Sequence, residues 1–194
     1  MRRLAACAMS WAVLLLAAGC GSTPASRFYT LGAVTSPPAA PSDLSVAVGP
    51  VTVPAAVDRP QIVVTVGPNQ VRLDEFNRWA APLQNAIARV VAENLVAVLG
   101  TPRVSASPLT LVAPDYRVAI EVQGFESALG EAATLDAVWT VTRTRDGKAQ
   151  TGRTTVREPP APGYDALAVA HSRALARLSR DIADAVQALD RSTP

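Results

Sequence analysis

Tyr116-Arg117-Val118-Ala119-Ile120-Glu121-Val122-Gln123 sets large apolar residues at every second position, and Leu135-Asp136-Ala137-Val138-Trp139-Thr140-Val141-Thr142 repeats the arrangement. Period-two alternation puts each apolar set on one face of a pleated strand. The spacing therefore predicts two neighbouring strands with one covered face and one wet face. Asp146-Gly147 turns the chain into Lys148–Arg157, a polar run suited to a sheet edge. Upstream, Leu44–Val53 alternates until Gly49-Pro50, where a bulge or interruption is expected. Gln61–Val66 and Gln70–Leu73 flank the turn Gly67-Pro68-Asn69 as a hairpin, and Arg27–Val34 reads as a first strand. Between Thr35 and Ser42, Pro37, Pro38 and Pro41 allow only an extended loop.

Two stretches change period. From about Ala80 to Leu99, Leu83, Ile87, Val90, Val91, Leu95 and Val98 recur at helical spacing, with Pro82 in the first turn and Gly100 as the stop. After Pro159, Pro160 and Pro162, a second stripe joins Tyr164, Leu167, His171, Leu175, Leu178, Ile182, Val186 and Leu189. Alanines flank it (Ala166, Ala168, Ala170, Ala174, Ala185) and permit close packing on a sheet or helix. The expected architecture is α+β, a largely antiparallel sheet with two long helices packed on one face, forming a single domain over residues 27–190.

The amino terminus carries a different message. Arg2 and Arg3 precede an apolar run from Leu4 to Ala18, too short for a membrane span and typical of an export signal. The run closes on Leu16-Ala17-Ala18-Gly19-Cys20, which resembles the lipobox of bacterial lipoproteins, with Ala17 where leucine is usual. Leu4-Ala5-Ala6-Cys7 spells a similar motif without a hydrophobic stretch before it. Residues 1–19 are accordingly expected to be a signal peptide, Cys20 the lipidated residue, and residues 20–26 a tether. Several acyl chains anchor a protein stably where one gives only reversible binding. Gly21 stands where an aspartate would retain a lipoprotein in the inner membrane, which implies the outer membrane of a Gram-negative cell.

Cysteine and charge narrow the function. Cys7 and Cys20 are the two cysteines, so processing and acylation leave none for an intrachain disulfide. The chain has 18 Lys+Arg against 16 Asp+Glu, and loss of Arg2 and Arg3 brings the two into balance. A neutral domain does not suit nucleic acid, which calls for a basic patch. His171, the lone histidine, lies on the apolar stripe of the second helix, where it reads as a packed residue. No pair of histidines or cysteines is spaced as metal ligands, no Gly-x-Ser-x-Gly motif occurs, and no glycine-rich phosphate loop is present. Asp74-Glu75 reads as surface charge. The chain is therefore expected to be no enzyme and to carry no cofactor or metal.

Two segments are more particular: Val57-Asp58-Arg59-Pro60-Gln61-Ile62-Val63-Val64 and Arg72-Leu73-Asp74-Glu75-Phe76-Asn77-Arg78-Trp79-Ala80-Ala81-Pro82-Leu83. Structurally they read as a strand lead-in and a helix start, with Phe76 and Trp79 as core anchors. Together with Arg27-Phe28-Tyr29-Thr30-Leu31 they resemble the PqiC/YmbA family of auxiliary lipoproteins of ABC- and MCE-type lipid transport systems. The resemblance rests on Pro54, Asp58–Val63 and Phe76–Leu83. It implies a non-catalytic protein on the outer membrane, facing the periplasm and working beside an inner-membrane permease and an MCE-domain protein, in some members as a homo-oligomeric ring. Asp58, Arg59, Gln61 and Arg78 are the candidate partner-binding residues, since Pro60 stiffens a loop that presents polar groups outward. A structural or assembly lipoprotein bound to peptidoglycan or an outer-membrane complex is the alternative. A lipid-carrying shuttle is a third; with aromatic residues at 5%, the domain is not expected to enclose a whole lipid.

Overall fold

The alternation at Tyr116 belongs to a strand longer than the pattern suggests, Tyr116–Ala128. In the computed structural model, residues 24–34, 37, 39–106 and 113–192 are described; the expected signal peptide, Cys20 and the start of the expected tether lie outside them. Eight strands form one mixed sheet: β1 (Arg27–Tyr29), β2 (Val46–Thr52), β3 (Gln61–Gly67), β4 (Gln70–Trp79), β5 (Val104–Ser105), β6 (Tyr116–Ala128), β7 (Ala132–Arg143) and β8 (Ala149–Glu158). Among the described residues, two helices, α1 (Leu83–Leu99) and α2 (Tyr164–Arg191), complete the α+β architecture.

The sheet forks at β6. One edge of β6 pairs antiparallel with β7 along its length, and β7 pairs with β8, which takes the edge position its polarity suggests. The other edge is shared. Val46–Thr52 lies parallel to its first half, and β3 meets it at Val64–Ser127. β2 carries β5 outward, while β3 carries β4 and then β1. The long ladders are antiparallel; the pairings of β1, β2 and β5 are short and parallel. The register of β6 slips between Val122 and Gly124. The burial phase therefore moves from Tyr116, Val118, Ile120 and Val122 to Phe125 and Ser127. That bulge hides the second half of the strand from a strict two-residue pattern.

Both helices lie against the buried face, α1 over β2 and β5, α2 over β7 and β8, and each against the other. Helix α1 begins after Pro82 and ends at Gly100, a left-handed residue with φ 64°. A side chain there would collide with the backbone carbonyl of Ala40, so the stop is set by packing as well as by conformation. The stripe of α2 is buried from Leu167 to Leu189. Its last turn is held by the buried Arg143, which donates to the Leu189 carbonyl and to both carboxylate oxygens of Asp146.

The structure corrects three expectations at the start of the chain and around β4. The first strand stops at Tyr29 instead of Val34. Beyond it the backbone bonds to the helices: Arg89 donates to the Leu31 carbonyl, while Gly32 and Val34 N–H groups donate to Ser172 and Asn94. Residues 74–79 are not a helix lead-in; they finish the ten-residue strand β4, and α1 starts three residues later than expected. Finally, Phe76 is 37% exposed and no core anchor, while Trp79 is buried.

Strand β4 tolerates this length because it bulges. Gln61 pairs with Arg78 but the adjacent Ile62 pairs with Asp74, so residues 75–77 loop out. Asp74 holds the bulge, its Oδ1 accepting from the backbone N–H groups of Phe76 and Asn77 and from the Asn77 side chain. Its Oδ2 accepts from the Tyr164 hydroxyl at the start of α2. Burial pushes the Asp74 carboxyl up, but these hydrogen bonds outweigh it and hold the group below its usual range.

A lowered folded pKa contributes stability that is present above the unfolded carboxylate value of 3.8 and lost as pH falls through the folded one. Asp115, Asp136 and Asp146 shift the same way. Denaturant unfolding should therefore give a stability that is flat near neutrality and falls below that value. Asp74→Asn should remove part of the acid slope and leave the rest. A second expectation concerns Gly152, whose absent side chain makes room for the Trp139 ring. Trp139 reaches over it to donate to Thr154, which donates to Asp181 on α2. Gly152→Ala should cost ~1–3 kcal/mol, as overpacking does. Gly32→Ala, with open space around it, should melt near the parent temperature by calorimetry.

Candidate functional site

Three chain ends meet beside the bulge. The Trp79 N–H donates to the Pro60 carbonyl at 2.7 Å, and the Ala80 N–H donates to the Tyr29 carbonyl at 2.9 Å. The entry of β3, the exit of β4 and the exit of β1 are thereby tied together. Residues 54–60 approach this junction as a tight turn, with Val57 and Asp58 N–H groups both donating to the Pro54 carbonyl and the Arg59 N–H to that of Val57. The turn is short because two prolines bracket it and its donors are satisfied locally.

Asp58 and Arg59 are exposed on this turn. They line an open hollow of about 380 Å³ together with Pro60, Trp79, Ala80, Ala81 and Pro82. Gln61 and Arg78 lie directly opposite one another across β3 and β4. Both turn to Glu75: Gln61 donates to its carboxylate at 3.2 Å, and Arg78 donates to its carbonyl at 2.9 Å with a looser ion pair at 3.8 Å. The structure thus gathers the four candidate residues into one neighbourhood but divides them into two kinds. Asp58 and Arg59 face solvent from a stiff turn, whereas Gln61 and Arg78 are part of the bulge.

Glu75 and Asp74 were the residues missed as more than surface charge. The sequence held only the general turn preference of aspartate, since any two non-proline residues offer the same N–H donors; the bonds to Phe76 and Asn77 appear only in the fold. Tyr164, whose hydroxyl donates to Asp74, could not have been linked to it from sequence, because the two are 90 residues apart. Burial and the Asp74 carboxylate push the Tyr164 hydroxyl up to about 12, so it remains a donor.

Under the hollow, Trp79 anchors a small aromatic cluster. Its ring meets Phe125 edge-on at 6.1 Å and His171 edge-on at 6.2 Å, while Phe125 and His171 stack at 3.9 Å. His171 is completely buried, its Nε2 is 2.9 Å from the Ser127 hydroxyl, and its Nδ1 has no partner. Burial pushes the imidazole down to about 3, which keeps it neutral near pH 7. A neutral ring whose Nε2–H donates to Ser127 leaves only an acceptor unsatisfied, the less costly arrangement. Its stacking is that of a core residue. Among the described residues, no group of three or more histidine, cysteine, aspartate or glutamate side chains is placed to hold a metal ion. None of their helices is long and apolar enough to cross a membrane.

Comparison with known proteins adds the family. A crystal structure of an uncharacterized protein superposes with a TM-score of 0.72 at 20% identity, covering 84% of this chain and 99% of the other. A second, from Xanthomonas campestris and assigned to a family of unknown function, gives 0.69 at 21% identity, with 86% and 99% covered. These likenesses establish a shared fold. No curated protein matches by sequence. The model of the family described as ABC-type transport auxiliary lipoprotein component matches residues 29–183, from the end of β1 far into α2. The chain belongs to the ABC-type transport auxiliary lipoprotein family.

Proposed function

We propose that this protein is a non-catalytic, lipid-anchored component of an ABC/MCE-type intermembrane lipid transport system, which docks the periplasmic conduit at the outer membrane. The observation that carries the reading is membership of the auxiliary lipoprotein family across residues 29–183. Cys20 is the acylated residue and Gly21 suits onward passage to the outer membrane. The partners are an MCE-domain protein and, through it, the inner-membrane permease; a homo-oligomeric ring is the assembly in which several copies would surround one conduit.

The geometry supports a docking role through the Asp58–Arg59 turn. Exposed charges on a turn with locally satisfied backbone donors lose little entropy on binding. The adjacent hollow, lined by Pro60, Ala80, Ala81 and Pro82 over the buried Trp79, suits an apolar group of the partner.

Two measurements test this reading. Fatty-acid labelling should mark the parent protein and not Cys20→Ser; label that persists in the variant would move the anchor to Cys7 or remove it. Arg59→Glu should weaken capture of the MCE-domain protein, or reduce oligomer size, while the melting temperature stays unchanged. A reversed charge at a buried contact costs ~2–5 kcal/mol, whereas at a solvated turn it costs ~0–1 kcal/mol. Trp79→Ala should behave in the opposite sense, destabilising the fold by ~3–5 kcal/mol through loss of the cluster with Phe125 and His171. Unaltered assembly by Arg59→Glu would leave the turn a purely structural part.

A further inference from the structure

Five of the seven large apolar side chains exposed among the described residues belong to β1 and the β3–β4 hairpin: Phe28, Val66, Val71, Leu73 and Phe76. Phe28 is 63% exposed and Val71 57%. Register places three of them on one face. Phe28 is opposite Arg78 and Arg78 opposite Gln61, while two and four residues along β3, Val63 and Thr65 are opposite Leu73 and Val71. Tyr29 and Asp74, one residue out of phase, contact Tyr164 at the start of α2. Phe28, Leu73 and Val71 therefore share the sheet face turned away from the helices, with the Arg78–Glu75 bulge between Phe28 and the other two. Scattered apolar residues on a surface are ordinary, but several gathered on one face of one small wing mark something that covers them.

The course of the chain says what that is. Strand β1 runs parallel to β4 and covers only Asn77–Trp79 of its outer edge. The chain therefore enters β1 from the side on which the uncovered part of that edge runs to Gln70 and the hairpin tip. The family is one of lipoproteins, and both cysteines, Cys7 and Cys20, lie upstream of β1. Cys20 precedes Phe28 by eight residues, at most roughly 26–29 Å when fully extended and about 15 Å as a flexible coil. The acyl chains are consequently held close to the end of the domain where this face lies.

We propose that the outer face of the β3–β4 hairpin, together with Phe28, rests on the bilayer that holds the protein's own lipid anchor. This surface orients the domain on the membrane, and it rests on the anchor reading above, not on the identity of any protein partner. An acylated cysteine offers no thiol, so the mature chain accepts a single engineered label. The experiment places an environment-sensitive fluorophore on Val71→Cys, on Phe28→Cys and, at the far sheet edge, on Gln150→Cys. The full acylated proteins are reconstituted in vesicles of phosphatidylethanolamine and phosphatidylglycerol, with acylation checked by intact mass. The expected result is blue-shifted emission and severalfold weaker iodide quenching at positions 71 and 28 than at 150. Equal quenching at all three positions on an acylated protein overturns the bilayer contact alone. A protein without acyl mass overturns the anchor reading instead. Protection at positions 71 and 28 that disappears as copies are diluted in excess lipid assigns the face to a second copy and likewise overturns the proposal.

Discussion

Strand β6 uses both of its edges, and the rest of the molecule follows from how they are divided. One edge is committed to β7 throughout, while the other is split between β2 near Tyr116–Glu121 and β3 at Ser127. Two strands cannot share one edge without diverging, so the sheet opens into two short wings beyond β6. The wing of β2 and β5 lies under α1; the wing of β3, β4 and β1 reaches past α2. The slip near Gln123 falls between the two pairings. A bulge bends and twists its strand locally, which is what a strand entering a second wing requires.

The wing beyond α2 is covered by side chains more than by other strands. Residues 31–34 cross the helices on hydrogen bonds from or to Arg89, Ser172 and Asn94, with Leu31 buried beneath. Asn94 also reaches Ser179, so the crossing segment and the two helices share one polar contact. Asn94, Ser172 and Ser179 are buried and would be costly if unpaired, while Arg89 reaches in from an exposed position. The segment that follows β1 is therefore fixed to both helices, and a pull on the chain before β1 passes into the helical layer and not only into the three-residue strand.

What the sequence made legible was periodicity, and it was accurate wherever one pattern ran unbroken. Helix α2 keeps its stripe from Tyr164 to Leu189, and the first half of β6 alternates as its spacing requires. Legibility failed where a bulge changed the phase or a distant partner replaced the expected one. The second half of β6 and the end of β4 belong to the first kind, since three looped residues at 75–77 break the alternation that would have extended Gln70–Leu73. Residues 30–34 belong to the second: their composition suits a strand, but their hydrogen bonds go to helix side chains far along the chain. The two-residue β5 was too short to carry any pattern. At the candidate site, Asp58, Arg59 and Gln61 are expected together because they flank Pro60, and Arg78 because an arginine can pair with a carboxylate; the fold places all four in one neighbourhood. Only the register of β3 against β4 separates the outward pair from the pair that engages Glu75.

That separation bears on how one small wing can serve two contacts. Strand β3 is seven residues long, about 20 Å from end to end. The Asp58–Arg59 turn stands at its entry and the hairpin tip with Val66 and Val71 at its exit. The Glu75 bulge lies near the entry, where Gln61 and Arg78 meet, and its hydrogen bonds to Asp74 and thence Tyr164 fix it against α2. The proposed membrane face and the candidate protein contact are thus carried by one braced, bulged ladder, with Phe28 beside its entry and Val71 near its tip. Such a ladder cannot slide by one residue without exchanging its buried and exposed faces. Because the bulge keeps Ile62 and Val64 inward while Leu73 and Val71 remain outward, an orientation set at the bilayer as proposed would also fix the direction in which the Asp58–Arg59 turn is presented.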